Sequence, residues 1–437
     1  MIIGINAAAA IKQPRTGVEE YTYQLLKHLT MLSEAREHRF FLFIPSFEKG
    51  GLRRIYRGKK IPPSPLFTKG GEKNLFDFPL PSNFEIKILR WPLPFLWTQI
   101  RLAWEIWRRK PDVLFMPVHI LPFGAPKNSV VTIHGLEYEY WPEHYPFWHR
   151  LYLKWSTARA LQRARRIIAV SENTKNDLIK FYNAKAEKIG VVHHGVSVCH
   201  SDPVAAGEES PANAGTGLGQ AERSFAPLGM TTVEKPYLLY IGRIETKKNV
   251  QGVLEAYKIL KEQYKIPHQL VLAGASGYGY KKIKKEIISS NKSCYAEIIS
   301  TPYGIPKQVW DDKVTYHEKI VDLGYVSEEE KWQLLSNADI FLFPSFYEGF
   351  GIPVLEAQAA GASVITSYGS CLPEIAGEGA LFVNPKNPAQ IAEIVKRIID
   401  DKILRDRLRQ SGFENVKRFS WEKCARETLE TILNFKG

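Results

Sequence analysis

Short apolar runs recur along this chain, separated by helical or polar stretches, and that alternation admits few folds. Residues 2–8, 40–44, 84–89, 112–117, 130–133, 167–170 and 189–192 form a first series. Residues 237–241, 270–273, 320–323, 340–343, 364–366 and 381–383 form a second. Runs this short and this apolar suit strands buried on both faces, and strands separated by helices suit a parallel sheet. The expected fold class is therefore α/β. Between the two series, residues 201–235 are dominated by Gly, Pro, Ala and acids without a sustained apolar period, as in an interdomain linker or a mobile insertion. Residues 45–83 and 289–317 are also irregular. After Pro388 three helical stretches close the chain, the last over 421–435.

Ligands of open parallel sheets gather at the carboxyl ends of the strands, so the segments after the apolar runs are the candidate sites. Residues 345–361, SFYEGFGIPVLEAQAAG, give a glycine-rich turn and then a helix opening near Pro353, because proline is tolerated at the first helical position. The N–H groups of Phe350, Gly351 and Ile352 are then expected to face outward at a positive helix terminus, ready for phosphate or sugar oxygens. Glu348 falls in the turn, and Glu356 is expected in the first helical turn, with the terminus helping to keep both ionised. Two such carboxylates can accept from two pairs of sugar hydroxyls. The other reading, acids that merely complement the helix dipole, fits Glu356 more easily than Glu348.

Other strand ends offer further candidates. Gly17 opens a helical stretch whose Val18, Tyr21, Leu25, Leu26 and Leu29 share one face; it is either a turn residue or a point of close ligand approach. His134 ends the run VVTI and precedes Gly135, so a site role stands beside a structural one. Arg243, Lys247 and Lys248 lie in the loop 242–249, where cations could neutralise a diphosphate. Plain surface charge is the alternative, and it suits Lys247 better than Arg243. His193, His194, Cys199 and His200 cluster in the sequence, but their spacing fits no usual zinc pattern.

With 437 residues, of which 44% are apolar, the chain can fill two or three cores. A net charge of +13 calls for anionic partners, whether nucleic acid, acidic lipid or phosphorylated small molecules. Arg53, Arg54, Arg57, Lys59, Lys60 and Lys69 form a basic run that reads as a solvated loop or as a lipid head-group contact. Trp97, Ile100, Ala103, Trp104 and Trp107 follow helical spacing beside Arg101, Arg108 and Arg109. Such a helix could lie on a membrane, but the neighbouring strands need cover, and the core-covering reading is favoured. No apolar run is long enough to span a bilayer, the start lacks the basic residues of a secretion signal, and the four cysteines include no C-x-x-C pair. A cytoplasmic, reducing location is expected.

Taken together, PRTGVEEYTYQLLKHL, VVTIHGLEYEYWPEHY, IIAVSENTKNDL, VVHHGV, YIGRIETKKNV, LVLAG, LGYVSEEEKWQLLSNADIFLFPSFYEGFGIPVLEAQAAGASVIT and LPEIAG resemble the retaining GT-B glycosyltransferases of the family 4 type. The likeness spans most of the chain; residues 45–83, 201–235 and 289–317 have no clear counterpart. It implies two Rossmann-like domains facing each other across a cleft. The acceptor domain would span 1–198, a linker or insertion 199–235 and the nucleotide-sugar donor domain 236–419, with a last helix at about 420–437 packed back on the first domain. The family's E-x7-E element falls on Glu348 and Glu356, and its G-R-x4-K loop on Gly242, Arg243 and Lys248. By resemblance, Glu348 would hold hydroxyls of the donor sugar and Glu356 the ribose diol. Arg243, Lys248, Gly17 and the backbone of Phe350, Gly351 and Ile352 would bind the diphosphate. His134 would approach the transferred sugar, making His134 and Glu348 the catalytic pair. Gly135 departs from the Asp that many members carry.

The resemblance further implies retention of configuration. No two aspartates stand two positions apart, so no Asp-x-Asp metal clamp is present and neither metal nor other cofactor is expected. The segments IHGLEYEYWPEHY and GYVSEEEKW are similar to mannosyltransferase-like members, which points to GDP-mannose, with UDP-sugars as the alternative donors. The expected acceptor is a glycan or lipid-linked glycan in polysaccharide biosynthesis, with peripheral contact at the inner membrane face and no nucleic-acid partner. Tyr138, Tyr140 and Trp141 could stack on a sugar or serve packing. A sugar-nucleotide epimerase and a non-catalytic anion-binding protein are the competing classes.

Overall fold

The computed structural model describes residues 1–13, 15–47, 75–93, 96–197, 236–290 and 320–434. The linker expected at 199–235, the basic run at 53–69, Cys199, His200 and most of 289–317 lie outside the described residues.

Every apolar run in the two series becomes a strand. The first sheet contains β1 (Ile2–Asn6), β2 (Arg39–Phe47), β3 (Phe84–Trp91), β4 (Val113–Met116), β5 (Ser129–Ile133), β6 (Arg166–Ala169) and β7 (Ile189–Val191). They lie in the order β3-β2-β1-β4-β5-β6-β7, and every pairing is parallel. The second sheet contains β8 (Tyr237–Ile241), β9 (Gln269–Ala273), β10 (Ile320–Gly324), β11 (Ile340–Phe343), β12 (Ser363–Ser367) and β13 (Ala380–Val383). Its order is β10-β9-β8-β11-β12-β13, also parallel throughout. Strand order reverses between β1 and β4 and between β8 and β11. Crevices at such reversals are where doubly wound sheets take ligands.

Helices cover both faces of the first sheet. Tyr21, Leu25, Leu26 and Leu29 of the helix Gly17–Leu29 enter the same core as Trp421, Cys424, Leu429 and Ile432 of the last helix, Trp421–Leu433. The chain thus returns to the first sheet at its end. The crossing is tight, since a Cβ on Gly195 would stand 2.2 Å from the Trp421 backbone nitrogen. Residues 195–197 and 418–421 therefore run side by side between the two bodies, joined by the Val196 N–H to the Phe419 carbonyl.

On the opposite face lie the helices Ala103–Arg109 and Phe147–Arg163. Here the core-covering reading of residues 97–109 needs a correction of face. Leu102 and Ile106 turn inward, while Ile100, Trp104 and Trp107 are exposed. The aromatic spacing is helical, but its stripe is the outer one, because the preceding turn is a π-helix over Thr98–Leu102 that shifts the phase.

Candidate active site

The loop after β11 is held from three sides. From below, Ser370 Oγ accepts the Glu348 N–H at 3.0 Å, and Cys371 Sγ donates to the carbonyls of Glu348 and Phe350, each at 3.1 Å. From beside, the Phe346 N–H reaches the carbonyl of Lys247 in the loop after β8 at 3.2 Å. From the first domain, Ser171 Oγ donates to the Gly349 carbonyl at 2.8 Å. Gly349 must be glycine, because a Cβ there would stand 1.6 Å from the His134 carbonyl oxygen. Gly135 meets it from the other side with φ +137°, and a Cβ on it would come within 3.1 Å of Gly349 Cα. The small residue that departs from the family pattern is thus where the two bodies touch.

Lys248 Nζ holds both oxygens of Glu348, at 2.5 and 2.6 Å. An ammonium carries three donors, so one N–H remains for a further oxygen. Both side chains are largely shielded from water. Lys247 is not surface charge. It is shielded too, paired with Glu137 of the first domain and 3.5 Å from Glu245. Burial alone would lower its pKa, but Glu137 and Glu245 outweigh it and hold the ammonium above its ordinary value. Burial likewise works against the Glu137 carboxylate, and Lys247 overrides it to keep that pKa low.

The helix after the loop is Ile352–Ala359, which places Glu356 at its fifth residue and outside the first turn. Glu356 is largely buried beside Lys331, whose Nζ reaches it at 2.7 Å and Glu328 at 2.7 Å. The expectation that the terminus keeps Glu356 readily ionised is corrected in direction. Burial raises its pKa, Lys331 opposes this, and the charges of Glu328 and Glu20 add to the rise. Lys331 is raised as well, because the charges of Glu356 and Glu328 outweigh the effect of burial on the ammonium.

His134 ends β5. Its Nε2 contacts the Pro117 carbonyl at 2.7 Å, and since a carbonyl only accepts, Nε2 carries the hydrogen and Nδ1 is left as an acceptor. Burial lowers the imidazole to a pKa of about 4, against the opposing pull of Pro117 and Glu19. The ring is neutral at physiological pH. Gly17 starts its helix exposed, with open space around it. Arg243 is exposed at the end of β8, and no carboxylate among the described residues pairs with it.

Comparison with known proteins decides the family. Residues 15–198 match the family described as Glycosyltransferase Family 4, and residues 230–300 and 305–415 match Glycosyl transferases group 1. The chain belongs to the family 4 glycosyltransferases with a GT-B fold. It is 26% identical over 433 residues to the O-antigen chain mannosyltransferase B of Escherichia coli, covering 97% of this chain and 98% of that one. It is 23% identical over 337 residues to the O-antigen chain mannosyltransferase RfbU of Salmonella typhimurium, covering 76% and 78%. Among solved structures, sucrose-phosphate synthase from Thermosynechococcus elongatus superposes with TM-score 0.63 at 16% identity, covering 98% of each chain. WaaG, a glycosyltransferase involved in lipopolysaccharide biosynthesis, superposes with TM-score 0.61 at 14% identity, covering 99% and 100%.

In this glycosyltransferase the structure brings Lys248 and Glu348 into contact and sets Gly349 against the His134 backbone. Glu356 stands apart from that pair, on Lys331. Phe350 has a second role in its side chain, which packs with Val170, Val196 and Phe419 in a small core between the bodies. Tyr140 and Trp141 serve packing between the domains, their rings lying tilted against those of Tyr347 and Phe346 respectively, and Tyr138 is buried against Thr157 and Tyr182.

Sequence reasoning missed the residues that join the two domains. Glu374 accepts the backbone N–H groups of Glu172 and Asn173 and pairs with His193 at 2.7 Å, contacts that overcome burial and keep its pKa low. Lys331 was also missed, although the capping box of Ser327 and Glu330 fixes its helix and could have placed it.

Proposed function

We propose that this glycosyltransferase moves mannose from GDP-mannose to a glycan or lipid-linked glycan acceptor in polysaccharide biosynthesis, with retained configuration and no metal ion. The observation that carries the reading is the bidentate hold of Lys248 on Glu348 at the β8/β11 crevice, facing the His134 turn. The names of the two O-antigen relatives support the sugar and the pathway class.

Breaking the bond from sugar to diphosphate builds positive charge on the sugar and negative charge on the leaving phosphate. The free N–H of Lys248, the exposed Arg243, and the N–H groups of Phe350, Gly351 and Ile352 receive that negative charge. Glu348, fixed and charge-paired, accepts hydroxyls of the sugar, and the second oxygen of Glu356 accepts from the ribose diol. His134, neutral, offers Nδ1 to a sugar hydroxyl rather than a proton to the leaving group. The acceptor attacks from the face the diphosphate leaves, and its proton passes to the departing phosphate oxygen. The acceptor enters from the first domain, past Gly17 and His134, on the cytoplasmic side of the membrane.

The test is incubation of the full chain with labelled GDP-mannose and, separately, UDP-glucose, in the presence of a bacterial glycolipid extract and a chelator. Label entering the extract from GDP-mannose, with an axial linkage by NMR, supports the reading. Label entering only from UDP-glucose moves the donor, and isomerisation of the donor without acceptor moves the class to epimerase.

A further inference from the structure

The outer faces of the helices Ala103–Arg109 and Phe147–Arg163 carry an unusual load of exposed apolar side chains. Both helices send their inner residues, Leu102 and Ile106 from one segment and Leu153 and Ala160 from the other, into the same core on one side of the first sheet. Their outer faces therefore point the same way. The β4–β5 loop bridges them: Gln99 Oε1 accepts the Phe123 N–H at 2.9 Å, and the Phe123 ring lies 5.8 Å from that of Trp155. On this surface Trp104 is 50% exposed, Trp107 69%, Phe123 51%, Phe147 69% and Trp148 76%. Soluble monomers rarely leave so many large apolar groups on one side in water without a partner.

The exposed charge carried by these two helices is of one sign. The helix Phe147–Arg163 contains Arg150, Lys154, Arg159 and Arg163 and no acid. In residues 98–109 the sole acid is Glu105, which is 1% exposed and covered by Arg101, Arg108 and Arg109. Arg101 and Arg108 lie over Trp104, and Arg159 lies over Phe123 at 4.9 Å, so cations and rings share the same positions. Tryptophan beside arginine suits the boundary between lipid head groups and acyl chains, with the rings in the apolar layer and the guanidinium groups on lipid phosphates. No helix among the described residues is long and apolar enough to cross a membrane, so contact by this face is from the side.

We infer that this two-helix face docks the enzyme on an anionic lipid bilayer. It deepens the proposed use of a lipid-linked acceptor and rests on that reading only for its purpose. Its binding to vesicles is independent of any sugar nucleotide.

The experiment is co-sedimentation of the full chain with vesicles of phosphatidylcholine alone and of phosphatidylcholine with roughly one third phosphatidylglycerol. The variant Trp107→Ser/Phe147→Ser/Trp148→Ser is compared with the parent, its fold checked by thermal unfolding. The expected result is binding to the anionic vesicles that weakens with salt and falls at least about tenfold in the variant. Equal sedimentation of parent and variant, or a parent that ignores anionic vesicles, overturns the proposal. A parent that is dimeric and a variant that is monomeric, with neither binding vesicles, also overturns it in favour of self-association. Failure of GDP-mannose transfer with intact vesicle binding would count against the donor reading alone.

Discussion

Tyr347 of the second domain donates its phenolic hydrogen to Asp177 of the first, at 2.8 Å. The same oxygen accepts the Leu136 N–H at 3.0 Å, two residues beyond His134, and Asp177 also accepts from Tyr140 at 2.6 Å. Tyr347 precedes Glu348 in the chain, so the hydroxyl registers the acid of one domain against the histidine turn of the other. Tyr347→Phe keeps the ring and its tilted contact with Tyr140 but removes the bond. It should cost about 1–3 kcal/mol of stability and lower kcat roughly tenfold by loosening alignment. Donor affinity, measured by calorimetry, should change little.

Gly349 gives a steric version of the same test. A methyl group there meets the His134 carbonyl at 1.6 Å, so Gly349→Ala must part the two loops. Transfer should fall by roughly two orders of magnitude, while sugar-nucleotide binding to the second domain survives.

Lys248→Met removes the cation that fixes Glu348 and leaves a shielded carboxylate unpaired. Glu348→Gln keeps the shape and loses the charge. Each should reduce transfer by about a hundredfold or more, and the Lys248 variant should lose more stability, since the Gln oxygen still accepts from the Lys248 ammonium whereas Met offers the Glu348 carboxylate no donor. A thermal-unfolding comparison of the two checks the order.

His134 supplies a pH signature. Its folded pKa, about 4, lies below the ordinary imidazole value of 6.5, so the unfolded chain binds the proton more readily. The stability this confers is complete above pH 6.5 and is lost as pH falls toward about 4. His119, also lowered to about 4 by burial, adds to the same slope. His134→Gln should flatten part of that slope. Since the ring stays neutral, kcat of the parent should not titrate with it between about pH 6 and 8.

Glu105, buried beneath Arg101, Arg108 and Arg109, adds a slope of the same sign at lower pH. Burial opposes its ionisation, but three arginines hold its pKa at about 2 against an ordinary carboxyl value of 4.5. Its contribution is full above 4.5 and lost as pH falls toward about 2. Allowing for partly exposed partners, Glu105→Gln should cost roughly 2 kcal/mol at pH 7, a difference that shrinks when unfolding is followed down to pH 3.

The strands were legible because both faces of each are covered, so apolar runs mark them without competition from solvent. Contact between Lys248 and Glu348 was foreseeable as a shared cleft but not as a pair, because sequence spacing does not report which cation reaches which acid. Tyr347, Asp177, Glu374 and Lys247 were hidden for a stronger reason. Their partners lie across the domain boundary, 170 positions away in the case of Tyr347 and Asp177. The outward stripe of Trp104 and Trp107 was misread because one π-turn shifts the helix phase, which periodicity counted at a fixed pitch cannot register.

The most direct measurement is calorimetric titration of GDP-mannose, and of UDP-glucose for comparison, into the full chain and into Lys248→Met. The account predicts saturable one-to-one binding of GDP-mannose by the parent, weakened at least about tenfold in the variant. Binding of neither nucleotide sugar, or GDP-mannose binding that is indifferent to Lys248, would contradict it.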